Sequence, residues 1–318
     1  MISEIAFDLA WAYGVSCTNI IPLQGGWINN LYRAETESSN LIVVKEYSAR
    51  RFDKKRIKDV EAALGRQQLI QKAGFPCPYV YTAKSGGIFR FINDDSYIVM
   101  SFAEGINENH LSVNLLQLES LGDTCALMHK MFSDIPVENV KGYPINGNKT
   151  LSELIKWYED FSTVGSEYAN MLNHSKTILD SLDSEFFDKL PKGIAHEDFT
   201  SDNVLFNKDS VSAVVDLDCN KYSYMWHDVG RALLSFALEN GKLNMEKVNA
   251  FICGYSNQSV LKKSDIIDAL RITWCIEMPW WFSPETYKTI GRKVLRYRSE
   301  IEWVTENWFE LEEIMRYV

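Results

Sequence analysis

The sequence predicts an α+β protein built as two lobes, and three observations predict it. Runs with strand character fill the first hundred residues. Runs with helical character dominate after Glu104-Gly105. The one later pair of strand-like runs carries a spaced set of acids and an amide. Strands first and helices afterwards segregate the two kinds of element, unlike an alternating βαβ pattern. A length of 318 residues accommodates two lobes. Their meeting point is placed near residue 103. The N-terminal lobe covers 1–103 and ends in an inter-lobe link; the larger, mainly helical lobe covers 104–318.

Each element has a local reason. Residues 3–13 have apolar positions at helical spacing and stop near Gly14. Residues 20–47 read as strands: Ile20-Ile-Pro-Leu23, Leu31-Tyr-Arg-Ala34 and, after a polar turn at Glu37-Ser-Ser-Asn40, the β-rich run Leu41-Ile-Val-Val-Lys-Glu-Tyr47. A charged helix is expected over 53–73, stopped by Gly74 with Pro76 and Pro78 beyond. Ile88-Phe-Arg-Phe-Ile92 and Tyr97-Ile-Val-Met-Ser-Phe102 form a further strand pair around Asn93-Asp94-Asp95. Helices follow over 112–132, over 150–162 with Thr150 or Ser152 at the cap, and over 165–190. After the late hairpin the chain reads as helical to its end.

That hairpin carries the chemistry. Ile194-Ala-His-Glu-Asp-Phe-Thr-Ser-Asp-Asn-Val-Leu-Phe206 is followed by Val214-Val-Asp-Leu-Asp218. Val204–Phe206 and Val211–Val215 are short apolar runs around the turn formers Asn207-Lys-Asp-Ser210. Pairing them brings Asn203 near Asp216. Phosphoryl transfer from a metal–nucleotide needs one carboxylate to orient and deprotonate the attacking hydroxyl, and an amide oxygen plus a second carboxylate to hold magnesium. Asp198, Asn203 and Asp216 match that set, and His196 precedes Asp198 by two residues. Read singly, each has a structural alternative: a turn or cap residue, a strand-end turn former, a surface loop acid. Together they imply a kinase. A zinc site at His196 and Asp198 is disfavoured, because no other His or Cys stands nearby at ligand spacing.

Composition narrows the setting. Thirty-three basic against 43 acidic residues give a net charge of −10, which argues against nucleic acid as a partner. It suits a cationic small substrate. The six cysteines are scattered with no C-x-x-C pair and read as reduced thiols. No run approaches eighteen apolar residues and no secretory pattern opens the chain, so no membrane partner is expected and the cytoplasm is the expected location.

Further residues complete the set. Gln24-Gly25-Gly26-Trp27-Ile28-Asn29-Asn30 is a turn whose glycines would let backbone N–H groups approach phosphates. Taken alone, Gly25-Gly26 reads equally as an ordinary hairpin turn. Lys45 would reach the α- and β-phosphates, or stand as a strand-end charge. Glu61 on the next helix would pair with it, or be a solvated acid. Met100 or Phe102 would lie against an adenine ring, or simply pack. His129 reads as a satisfied core histidine. Asp228, in Trp226-His-Asp228, is an N-cap candidate that would also brace the catalytic loop. Glu277, Trp281 and Glu285 place acids beside aromatics, which suits an amine-bearing acceptor; an aromatic core with solvated acids is the alternative.

These segments together resemble the aminoglycoside phosphotransferase family, small-molecule kinases related to protein kinases, whose relatives include homoserine and choline kinases. The resemblance runs from about Leu23 to Leu238. It rests on the Gly-Gly turn with Asn29-Asn30, Lys45, Gly74-Phe-Pro-Cys-Pro78, Glu104-Gly105, Leu127-Met-His129, His196-x-Asp198-x4-Asn203, Asp216-x-Asp218 and Asp228. It implies a bilobal protein-kinase-like fold with an antiparallel sheet and a helix in the N-terminal lobe. It implies ATP and Mg2+ as cofactors and a small-molecule hydroxyl as acceptor. It also implies Lys45 on the phosphates, Asp198 as catalytic base, and Asn203 and Asp216 as metal ligands, with His196, Asp218 and Asp228 in support. Relatives usually carry Gly where this chain has Glu197, a carboxylate that would either perturb Asp198 or point outward. A Ser/Thr protein kinase of the same fold and a non-catalytic, pseudokinase-like binding protein are the two readings from other classes.

Overall fold

The computed structural model describes residues 2–23, 29–162, 169–283, 286 and 291–317. Its elements are mixed α and β, and the chain forms two compact units. The first comprises Met1–Ile106 together with Ser212–Cys219; the second comprises Asn107–Val211 and Asn220–Val318. The Ser212–Cys219 segment, read from sequence as part of the second lobe, thus belongs to the first unit.

In the first unit, β1 (Cys17–Leu23), β2 (Asn30–Thr36), β3 (Leu41–Tyr47), β4 (Arg90–Ile92) and β5 (Asp95–Ser101) make an antiparallel sheet of order β1-β2-β3-β5-β4. Strand alternation sends side chains to opposite faces. Ile42, Val44, Tyr97 and Val99 pack with Ile5 and Leu9 of α1 (Ile2–Tyr13). Tyr47 and Ile98 pack on the other face with Ile57, Val60 and Leu64 of α2 (Lys54–Lys72). Helix α2 starts where Asp53 accepts from Arg56 N and stops before Gly74, which takes a φ of 97°.

The second unit is mainly helical. Helix α3 (Leu115–Ser133) opens with a reciprocal cap between Asn114 and Gln117. Helix α4 (Gly147–Ser162) begins earlier than expected: Asn146 accepts from Lys149 N, while Thr150 and Ser152 hydrogen-bond back to carbonyls of the preceding turn. The 165–190 stretch is broken. Helix α5 (Ala169–Asp180) ends, and α6 (Ser184–Lys189) restarts with Asp183 as its cap.

Strand β6 (Ile106–Asn107) and β7 (Lys192–Ala195) precede β8 (Val204–Phe206) and β9 (Val211–Val214), whose connecting turn is closed by Asn207 N–H donating to Ser210 O. The rest is not purely helical. Strand β10 (Lys221–Tyr224) pairs with β7. After α7 (Trp226–Ala237), β11 (Leu238–Glu239) and β12 (Lys242–Leu243) form a hairpin around Asn240-Gly241, both at positive φ. That Asn-Gly pair is a hairpin signal inside an apolar run read as helix. Helices α8 (Met245–Tyr255), α9 (Lys263–Trp281) and α10 (Arg292–Asn307) follow. Gly230 lets α7 approach α9: a Cβ there would stand 2.1 Å from Thr273 Oγ1 and 2.4 Å from Ala269 O. Among the described residues no helix is long and apolar enough to cross a membrane.

Candidate active site

In the first unit, β3 turns Lys45 to the same face as Tyr47. Its ammonium is buried and pairs with Asp216 and, at 2.6 Å, with Asp218 Oδ2. Tyr47 donates its hydroxyl to the same Asp218 oxygen at 2.5 Å. Burial opposes the charge on Lys45, but the two aspartates overcome it and hold the amine well above its ordinary pKa. Burial raises the Asp218 carboxyl, against the pull of Lys45. Asp216 is exposed and sits at φ 65°, a conformation costly for a residue with a Cβ.

Glu61 is not the partner of Lys45. Helix α2 turns Ile57, Val60, Leu64 and Gln67 inward, which leaves Glu61 exposed. Asn30 opens β2 and donates to Glu46 Oε2 at 3.4 Å. Met100 is half-buried against the α2-side core, and Phe102, also half-buried, donates its N–H to Leu41 O. Gly25 and Gly26 lie outside the described residues.

In the second unit, β7 leads into the loop that carries His196, Asp198 and Asn203. Ala195 pairs with Lys221, and the next two backbone N–H groups are both taken by Asp228: His196 N to Oδ2 at 2.8 Å and Glu197 N to Oδ1 at 2.9 Å. Asp228 is fully buried in the first turn of α7 and does not cap the helix. Its Oδ2 also meets His129 Nε2 at 3.0 Å, and His129 Nδ1 lies 3.1 Å from the Tyr255 hydroxyl. His129 is thus a satisfied core histidine, one that fixes the residue bracing the loop. Asp198 N donates to His196 Nδ1 at 3.2 Å.

Asp198 is half-buried. The Asn203 amide nitrogen donates to its backbone oxygen at 2.8 Å and to its Oδ2 at 2.7 Å. Both amide hydrogens of Asn203 therefore serve Asp198, and the side-chain carbonyl is what remains for a cation. Two residues went unread in the sequence. Asn107 Nδ2 lies within 3.1 Å of the carbonyls of Ser201, Asp202 and Val204. The Tyr297 hydroxyl donates to Thr200 Oγ1 at 3.2 Å. No local pattern marks either one.

Glu197 neither points outward nor perturbs Asp198 by a free charge. It takes φ 74°, which explains why a glycine suits this position. Its side chain is buried and pairs with Lys221 at 2.7 Å and with His227 Nδ1 at 3.7 Å, an ion-pair distance beyond hydrogen-bond reach. Burial alone would raise its pKa; His227 and Lys221 bring it down to about 2. Burial would likewise lower His227, but Glu197 and Glu277 raise it to about 9.

Glu277 is buried too. It meets His227 Nε2 at 3.1 Å and accepts from Arg231 Nη1 at 3.0 Å and from the Trp281 indole at 2.7 Å. It is not a free acid for an acceptor amine, because its lone pairs are already committed inside the protein. Trp281 is half-buried and stacks on Tyr297, centroids 4.6 Å apart at 19°. Glu285 lies outside the described residues.

The chain is 24% identical over 235 residues to a homoserine kinase of Bradyrhizobium sp. (strain BTAi1 / ATCC BAA-1182), covering 72% of this chain and 70% of that protein. It is 24% identical over 197 residues to a homoserine kinase of Rhodopseudomonas palustris (strain BisB18), of which it spans 58%. Its fold resembles that of the amicoumacin kinase hAmiN, solved in complex with AMP-PNP, Ca2+ and Ami. The TM-score is 0.69 and the identity 14%, over 96% of this chain and 93% of that one. The family model described as "Phosphotransferase enzyme family" matches residues 19–251. Lys45, Asp198, Asn203, Asp216 and Asp228 all fall inside that span, and the chain belongs to the phosphotransferase enzyme family, APH.

Proposed function

We propose that this phosphotransferase moves the γ-phosphoryl group of ATP, in the presence of magnesium, to a hydroxyl of a small amine-bearing molecule such as an amino alcohol or an aminoglycoside. The observation that carries the reading is the Asp198 carboxylate, half-buried and held by Asn203 on a loop that Asp228 braces. Asp198 orients the acceptor hydroxyl and takes its proton as the oxygen bonds to the γ-phosphorus and ADP leaves. A loose transition state needs positioning more than a strong base. Lys45, kept protonated by Asp216 and Asp218, supplies positive charge for the phosphates.

Asp216, an exposed carboxylate of the first unit, and Asn203, whose amide oxygen is left over by its bonds to Asp198, are each an oxygen donor of the kind a hard divalent cation takes. A bound divalent cation would supply positive charge against the phosphates. AMP-PNP and Ca2+ in the amicoumacin kinase support a nucleotide and a divalent metal, and the homoserine kinases support a small amino-alcohol acceptor. Six free cysteines accord with a cytoplasmic setting. The protein-kinase reading has less support, since eleven residues separate Asp216 from Asp228 and four of them form β10.

The test is ADP release by the purified protein with Mg–ATP against homoserine, other amino alcohols, aminoglycosides, sugars and a generic protein substrate. Release that depends on one small acceptor and vanishes in Asp198→Asn supports the proposal. Phosphorylation of the protein substrate alone, or acceptor-dependent release that survives Asp198→Asn, refutes it.

A further inference from the structure

The ion pairs of the second unit form one continuous path with a buried middle, and it touches the 196–203 loop at two residues. From Lys221 it runs to Glu197 at 2.7 Å, to His227 at 3.7 Å and to Glu277 at 3.1 Å. It goes on to Arg231 at 3.0 Å, to Glu300 at 2.5 Å, to Arg296 at 3.5 Å and to Asp202 at 3.2 Å. Charges alternate at every step, and two members of the path lie on the loop: Glu197, one residue before Asp198, and Asp202, one residue before Asn203. Tyr297 links to its inside. The Arg231 and Arg296 guanidiniums stand 4.7 and 4.4 Å from its ring centroid, and its hydroxyl holds Thr200.

We infer that this chain of alternating charge clamps the catalytic segment at both ends, and that Glu197 and Asp202 are positioning residues for the Asp198 carboxylate. The inference rests on Asp198 being the base of the proposed reaction. Two arguments carry it. At φ 74° a glycine would be free of strain, whereas a residue with a Cβ is disfavoured. Glutamate at this position therefore contributes through its side chain, which is buried on Lys221 and His227. Buried ion pairs add little net stability once desolvation is counted, so their use here is to select one geometry.

The experiment compares Glu197→Gly, which accepts the backbone but removes the anchor, with Glu197→Gln, which keeps the size and the acceptor oxygen. Expected are Mg–ATP binding within about twofold of wild type, kcat lowered about 10- to 100-fold in Glu197→Gly, and partial rescue in Glu197→Gln. His227 faces Glu197 from the loop and Glu277 from α9, with Lys221 of β10 and Arg231 of α7 behind them. The alkaline fall of kcat in wild type should therefore move to lower pH in Glu197→Gln, because His227 has lost one carboxylate. Amide hydrogen exchange over 197–203 gives a readout free of any acceptor and should quicken in Glu197→Gly. Wild-type kcat with unchanged exchange in Glu197→Gly overturns the clamp, as does a kcat loss matched by lost ATP binding. If wild type transfers phosphate to nothing, the functional reading fails by itself, and loop exchange still decides whether Glu197 positions the segment.

Discussion

At Asp198, the proposed function is a matter of where one carboxylate points. Asn203 donates to its Oδ2, and the backbone before it is fixed by Asp228. Asp198→Asn keeps the shape and removes the proton acceptor. Turnover should fall about 10²–10⁴-fold while Mg–ATP binding, measured by calorimetry, changes less than twofold. Lys45 acts on both partners of its pair. Lys45→Met should raise the KM for ATP and also destabilise the protein by about 3 kcal/mol, because Asp218 is left buried with only Tyr47 as partner. Denaturant unfolding measures the second effect; unchanged stability would mean that Asp218 is protonated in the folded protein. The residue types and their spacing were legible here. The side-chain partners were not: Glu61 looked available to Lys45, yet the lysine's partners are Asp216 and Asp218, the latter 173 residues away in sequence.

Among the elements, the α7–α9 contact supports the loop proposed to be catalytic, through His227 and Glu277. Gly230 permits the approach that brings His227 to Glu277, and Gly230→Ala should lower stability by about 1–3 kcal/mol and reduce kcat through loss of that contact. Thermal unfolding and kinetics on one preparation check both. His227 gives the pH dependence. Its pKa rises from 6.5 in the unfolded chain to about 9 in the fold, so its contribution is full below 6.5 and is lost as pH rises through about 9. The stability difference between wild type and His227→Gln should therefore be largest near neutral pH and below, and shrink between pH 7 and 10. A difference that grows with pH would mean a neutral histidine. Helices and strands with a clean period were readable from short windows, including α2, β3 and β5. The 165–190 helix was not, because the break near Asp183 is a cap signal inside an otherwise helical pattern.

For the whole molecule, charge and linkage are the relevant quantities. A net charge of −10 draws a cationic acceptor at low salt, so its KM should rise several-fold between about 10 and 150 mM salt, while a neutral acceptor's should not. Mg–ATP at about 100 times its Kd should stabilise the protein by about 2.7 kcal/mol, seen as a raised Tm, and Asp216→Ala should abolish most of that gain. An undiminished gain in the variant would remove Asp216 from the metal site. The residues alone determined the α+β class, the strand character of the first hundred residues and the spacing of His196, Asp198, Asn203 and Asp216, since hydrophobic period, turn chemistry and motif spacing are all written within short windows. Packing in three dimensions decided that Ser212–Cys219 joins the first unit, that Glu277 is committed to Arg231 and His227, and that Glu197 is drawn inward. The physical reason is that a charge's partner is chosen by burial and distance among elements remote in sequence, and no local window carries that information.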